Sequence, residues 1–255
     1  MKVIKSSLSV ERKTLLTHTE IIESVNTLSD WKRKSWLQFS IKMLDADFPC
    51  LFSKSAWNAK SIKFIFCDKH EEHNYADFLN GMVQYSEYIK ITPLKKRVFS
   101  PLVVFFSPEF YKSKTQHEAG WEALKWVHLH DTYPWPSDIP YEPEAAAWTF
   151  CFNEIQYFIN MSSKDHSILR NRNLGAQLTF VINARENFDA VANGQTKSGR
   201  QIREQIRLRV INYNGGVFPS ELGFYGEGES LEWKQYQLSE RDLVRPLQCP
   251  FKNKK

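Results

Sequence analysis

A chain of 255 residues with 42% hydrophobic and 14% aromatic side chains has the apolar material for an ordered core, which excludes a disordered protein. Its net charge of +5 is spread over scattered Lys and Arg, so it suits an anionic ligand as well as a nucleic acid. Its four cysteines have no CxxC spacing, no stretch approaches the ~20 apolar residues of a membrane span, and the first residues lack a signal-peptide run, so a cytoplasmic protein with reduced thiols is expected.

Residues 1–29 are a polar, variable N-terminal segment, with a short helix expected near Ile21, Ile22 and Val25. Asp30 reads as the N-cap of a helix over 31–44. Trp36, Phe39 and Met43 share one face, with Leu37, Ile41 and Leu44 beside it, which predicts a broad buried stripe. The helix should stop before Pro49. After Phe48-Pro49-Cys50-Leu51-Phe52, Cys50 is expected to lead into strand structure, and 61–67 reads as a half-buried strand in which Ile62, Phe64 and Phe66 alternate with Lys63 and Ile65. Polar residues 68–77 carry His70 and His73, and a weak helix is expected over 75–88. The apolar run 102–106 reads as a central strand.

A helix over 115–130 places Trp121, Leu124 and His128 on one side, and Ala123, Trp126, Val127 and His130 on the next. Pro134, Pro136, Pro140 and Pro143 then forbid helix and favour an ordered extended loop, pinned by Tyr133 and Trp135. Strands at 148–152 and 157–161 lead into a polar turn with His166, Arg170 and Arg172, and a strand at 178–182 runs on toward Arg185. Residues 189–200 read as a loop. The helix over 199–213 sets Ile202, Ile206, Val210 and Tyr213 on one face, with Arg200, Arg203, Arg207 and Arg209 mostly off it, and Asn214-Gly215-Gly216 ends it. A loop with Gly223, Gly226 and Gly228 precedes 233–238. Strands and helices do not alternate strictly, and several strands are sequence neighbours. That predicts an α+β fold over 30–250: a single domain with a mixed or antiparallel central sheet and packed helices.

Each reactive residue has two readings. His166 beside Arg170 and Arg172 fits an axial haem ligand or general base flanked by carboxylate-binding arginines, but from the spacing alone a surface loop with solvated charges is the favoured reading. His130 fits a metal ligand or proton shuttle, or a core histidine bonded to a backbone carbonyl, and the second is simpler. His128 and His130 are two apart and do not chelate from one helix face. Cys50 could hold haem iron as a thiolate, but no basic neighbour in sequence supports it, and inert packing is favoured. The arginines at 200–209 could contact phosphates or be a solvated outer face. There is no phosphate-binding glycine loop, no GxSxG and no HExxH.

FPCLF at 48–52, LHDTYPWPSDIPYEPE at 129–144, WTFCF at 148–152, His166 with LRNRNLG at 169–175, FVINARENFD at 180–189, GRQIRE at 199–204, LGFYG at 222–226 and EWKQYQL at 232–238 resemble the YqcI/YcgG family, in its YqcI-like branch. The resemblance implies a haem-dependent oxygenase that hydroxylates a nitrogen of a small arginine- or amine-like substrate. Haem b would activate dioxygen with two electrons from a reductase partner. It implies His166 as first axial ligand and His130 as second, with Arg170, Arg172 and Arg185 holding propionates or substrate. Asp131, Glu142 and Glu144 would bind a cationic guanidinium. The alternative is a non-catalytic small-ligand-binding or stress-related protein of the same fold; a nucleic-acid binder ranks third. The sequence leaves the oligomeric state open.

Overall fold

Residues 12–71, 74–219, 221–223, 230–241 and 243–251 are described by the computed structural model. The expectations for His73, Gly226 and Gly228 lie outside them. Six strands form one sheet: β1 (Leu16–Thr17), β2 (Lys63–Cys67), β3 (Leu102–Phe106), β4 (Phe150–Phe152), β5 (Ile155–Ser162) and β6 (Thr179–Ala184). Their spatial order is β1-β2-β3-β6-β5-β4; β2 and β3 are parallel and every other neighbouring pair is antiparallel. The helices are α1 (His18–Ser24), α2 (Asp30–Leu44), α3 (Leu51–Asn58), α4 (Ala76–Ile91), α5 (Leu94–Arg97), α6 (Gln116–Leu129), α7 (Arg185–Ala192), α8 (Lys197–Tyr213) and α9 (Glu232–Tyr236). This is the expected α+β arrangement around a mixed sheet. Among the described residues no helix is long and apolar enough to cross a membrane.

All five residues of β3 are buried, as an unbroken apolar run requires when both sheet faces are covered. β2 differs from the half-buried expectation: Phe64, Ile65, Phe66 and Cys67 are all buried. Lys63 misled the alternation because it sits at the strand's open end, with its ammonium over the Tyr88 ring. On one face Ile65, Leu102, Val104, Phe106, Phe180, Ile182, Ile159 and Met161 form a core with α4, α6 and α9. Gly81 lets α4 lie against Ile65, where any Cβ would collide. On the other face Phe64, Phe66, Val103 and Phe105 pack with Trp36, Phe39 and Met43 of α2 and Ala56 of α3.

Three local expectations need correction. The stripe of α2 is narrow: Leu37, Ile41 and Leu44 are exposed, because α2 crosses the sheet along the 36-39-43 row alone. Cys50 precedes a helix, not a strand: α3 starts at Leu51 and ends before the residue Lys60, whose φ of 51° turns the chain into β2. The loop expected at 189–200 is short, since α7 runs to Ala192 and α8 begins at Lys197 with Thr196 accepting the Gly199 N–H. The end of α8 agrees with expectation: Gly215 and Gly216 have φ of 67° and 96°. β4 and β5 are joined by the two-residue turn Asn153-Glu154, both at positive φ (51° and 64°), as a twisted hairpin requires.

Candidate functional site

Alternation along β5 and β6 sends one set of side chains into the α4/α6 core and the other toward α2 and α8. Tyr157, Ile159 and Met161 take the first course, Phe158 and Asn160 the second. The register sets Asn160 beside Val181, Val181 beside Val103, and Phe158 beside Asn183. These five residues floor a cavity of about 300 Å³, a size suited to a small organic ligand. Its walls come from Phe39 and Met43 of α2, Phe48, Pro49 and Cys50 ahead of α3, Phe52 and Ser53 within it, Phe188 of α7, and Arg203, Ile206, Arg207 and Val210 of α8. The Phe48-Pro49-Cys50 wall is tied to α8 by Arg209, which donates to the carbonyls of Phe48 (2.9 Å) and Pro49 (3.2 Å). Cys50, a free thiol at the N-terminus of α3, therefore borders the cavity.

The polar end is built from residues far apart in sequence. Arg185, the first residue of α7, forms a close ion pair with Glu232 of α9. Its Nη2 also donates to Thr149 Oγ1 at 3.1 Å. Glu232 Oε1 accepts from Thr149 Oγ1 (2.5 Å) and from the Tyr236 hydroxyl (2.7 Å). The pair is buried and its charges offset each other. Arg172 lies in the turn after β5 and is also buried; its Nη2 donates to Gln235 O at 3.2 Å. Burial pushes the Arg172 pKa down to about 9, because a desolvated guanidinium loses hydration that Glu221 only partly compensates. Arg203 stacks over Phe188 at 4.6 Å and faces Asp189 at 3.6 Å.

The residues expected from sequence divide sharply. Arg172 and Arg185 line the cavity. Arg170 is exposed and stacks on Tyr213 at 4.9 Å. His166 is buried off the cavity lining, its Nδ1 3.1 Å from Glu240 Oε2. Glu240 also accepts the backbone N–H groups of Ser167, Ile168 and Leu169 at 2.7–2.9 Å. Burial raises the Glu240 pKa, but the hydrogen bonds from Leu169, Ile168, Ser167 and His166 outweigh it and bring it down to about 2. The His166 pKa is lowered by burial, against the opposing hydrogen bond to Glu240. His117, with its ring 5.2 Å from that of His166, is pushed down to about 3, first by burial and then by His166.

His130 is exposed at the end of α6, stacked on Trp126 at 3.9 Å with Nδ1 2.7 Å from the Trp126 carbonyl oxygen. Asp131 accepts the N–H groups of Tyr133 (3.0 Å) and Asn153 (3.1 Å), which secures the proline loop to the β4–β5 turn. Glu142 and Glu144 are exposed, and none of these three carboxylates lines the cavity. The carboxylate that does, Glu232, was passed over by sequence reasoning, as were Asn160, Asn183 and Gln235. The available signal was a glutamate opening the EWKQYQL segment, whose apolar companions Trp233 and Tyr236 demand burial. Among the described residues no group of three or more His, Cys, Asp or Glu is placed to hold a metal ion.

Comparison with known proteins gives three informative relatives. The chain matches the YqcI/YcgG family over residues 39–252. It is 36% identical over 246 residues to the "Putative N(omega)-hydroxy-L-arginine synthase DcsA" of Streptomyces lavendulae, covering 95% of this chain and 91% of that protein. It is 32% identical to the uncharacterized protein YcgG of Bacillus subtilis (strain 168), over 85% of this chain and 88% of YcgG. It is 29% identical to the uncharacterized protein YqcI of the same organism, over 93% and 94%. No solved structure matches.

Proposed function

The chain belongs to the YqcI/YcgG family, and from that premise we propose that it hydroxylates a nitrogen of a small arginine- or amine-like substrate held in the cavity over β3, β6 and β5. The observation that carries the reading is the cavity itself: an apolar chamber with a buried arginine, a neutralised Arg185–Glu232 pair and two half-buried asparagines on its floor. In this reading the amide oxygens of Asn160 and Asn183 accept hydrogen bonds from the guanidine or amine, the phenylalanine walls exclude water, and an arginine takes the substrate's anionic end.

Oxidising an N–H with dioxygen needs a redox group that side chains do not supply, and haem b is the proposed cofactor. When bound, it would activate dioxygen, the oxidant, with two electrons from a reductase partner and two protons taking the second oxygen atom to water. The lining matches such a group in residue type, and its walls would have to part beyond the present volume of about 300 Å³ to admit a porphyrin. Phe39, Phe48, Phe52 and Phe188 offer apolar contact, the arginines offer counter-charges for propionates, and Cys50 offers a soft sulfur donor. Cys50 is therefore the proposed iron ligand, in preference to His166 and His130, which border no part of this cavity.

An absorption spectrum of protein purified from haem-supplied cells, taken before and after dithionite and carbon monoxide, tests the reading. A stoichiometric Soret band that responds to carbon monoxide is expected, with a position that distinguishes thiolate from histidine ligation. Cys50→Ser should alter or abolish it, and His166→Ala should leave its position unchanged. The loaded protein with a reductase should convert an arginine-like amine to a product one oxygen heavier. A colourless protein that takes up no haemin would sink the oxygenase reading and leave a small-ligand-binding protein.

A further inference from the structure

Arg172 is a lining residue whose chemistry the protein leaves incomplete. It is only 3% exposed, yet its Nε and Nη1 are buried with no hydrogen-bond partner. Its Nη2 makes one hydrogen bond, to the Gln235 carbonyl. No described carboxylate forms an ion pair with it. Glu221, the acid whose field it feels, is engaged by Arg245 at 2.9 Å. Arg185 in the same lining differs in charge balance, since Glu232 forms an ion pair with it. A desolvated cation with unused donors is costly unless a counter-charge arrives. The remaining walls are largely apolar, and the cavity of about 300 Å³ leaves room for a small ligand to bring one.

We propose that Arg172 binds a carboxylate of the molecule that fills the cavity. This deepens the function proposed above and rests on it for the identity of that molecule: the carboxylate belongs either to an amino-acid substrate or to a haem propionate. In both cases the guanidinium fixes one end of the ligand beside the sheet floor, and the ligand's charge completes the folded protein's electrostatics.

The test compares the full-length chain with Arg172→Gln, using ligand pairs that differ in a free carboxylate: arginine against its decarboxylated analogue agmatine, haemin against its dimethyl ester, and hexanoate against hexanol. Binding is read by fluorescence titration and melting temperature. If the substrate supplies the carboxylate, the intact protein prefers arginine to agmatine by about 100-fold, as buried charge-assisted hydrogen bonds allow, and Arg172→Gln removes the preference. If a propionate supplies it, the same loss appears in the haemin pair. A protein that takes neither arginine nor haemin defeats the oxygenase reading, and the hexanoate pair then decides on Arg172 by itself. Preferences that survive in Arg172→Gln, or an intact protein with no preference in any pair, overturn the proposal. Arg172→Met separates binding from folding: for a carboxylate site, the ligand-free variant melts above the unmodified protein. A variant that melts well below it assigns Arg172 to the structure instead.

Discussion

The two faces of the sheet are built from the same strands and behave differently. On the α4/α6 face, Phe78, Phe106, Phe110 and Phe180 interlock with ring centres 4.7–5.9 Å apart, and the layer is closed. On the α2/α8 face, Phe39, Phe64 and Phe105 also pack together near β2, with ring centres 5.7–6.3 Å apart, but over β6 and β5 the layer parts into a cavity. The difference lies in alternate residues: Phe180 and Ile182 of β6 seal one side, while Val181 and Asn183 floor the other. A strand can thus contribute to stability with one face and to ligand binding with the other.

The sharpest way to break this comparison is a pair of neighbours. Phe180→Ala should cost ~3–5 kcal/mol of unfolding free energy, as deletion of a buried ring does. Val181→Ala, on the cavity floor, should cost about 1 kcal/mol, since less packing is lost. Urea unfolding of both checks this; equal costs would mean that the cavity face is sealed too.

Next in size is the polar end of the cavity. Glu232→Gln leaves Arg185 buried without its counter-charge and should cost ~3 kcal/mol, whereas Glu154→Gln, at the exposed Lys90 pair, should cost under about 0.5 kcal/mol. Comparable denaturation midpoints for the two variants would refute the contrast.

The clamp around His166 gives a pH-dependent prediction. The Glu240 pKa is about 2 in the folded protein against an ordinary 4.5. The unfolded chain therefore takes the proton first: the stabilisation is complete above that ordinary value and is lost as pH falls through about 2. Glu240→Gln should lose roughly 2 kcal/mol at neutral pH and show a flatter acid limb in melting temperature against pH. His18 and His117, pushed by burial to about 4 and about 3, add a decline that begins as pH falls through the ordinary histidine value of 6.5, because protons then favour the unfolded chain.

The smallest effect belongs to the surface. Ile41→Lys should change stability by less than about 0.5 kcal/mol, although helical periodicity places it beside the buried row. A large loss in thermal melting would show that the ridge of Leu37, Ile41 and Leu44 is covered in solution.

Much of the frame was legible. The unbroken apolar run of β3, bounded by prolines, reads as a central strand, and the apolar pattern over 115–130 marks α6, whose start the structure closes with a capping box of Thr115 and Glu118. Helix α3 was missed because eight residues with two serines and a lysine give a weak periodic signal. Of the site, Arg172 and Arg185 were recognised as arginines between core strands. Glu232 was not associated with them, because nothing local links a glutamate in the last helix to an arginine 47 positions earlier.

What the sequence determined by itself is most of the longer elements, the α+β class they build and the kinship with the YqcI/YcgG family. These follow from local periodicity, caps, turns and shared segments. Only the tertiary structure decided which charges are enclosed and by what. It turned His166 toward Glu240, left His130 against Trp126 in solvent, paired Arg185 with Glu232 and left Arg172 beside the cavity with donors unused. The reason is physical: burial and pairing depend on which distant segments cover a residue, and spacing along the chain does not encode that.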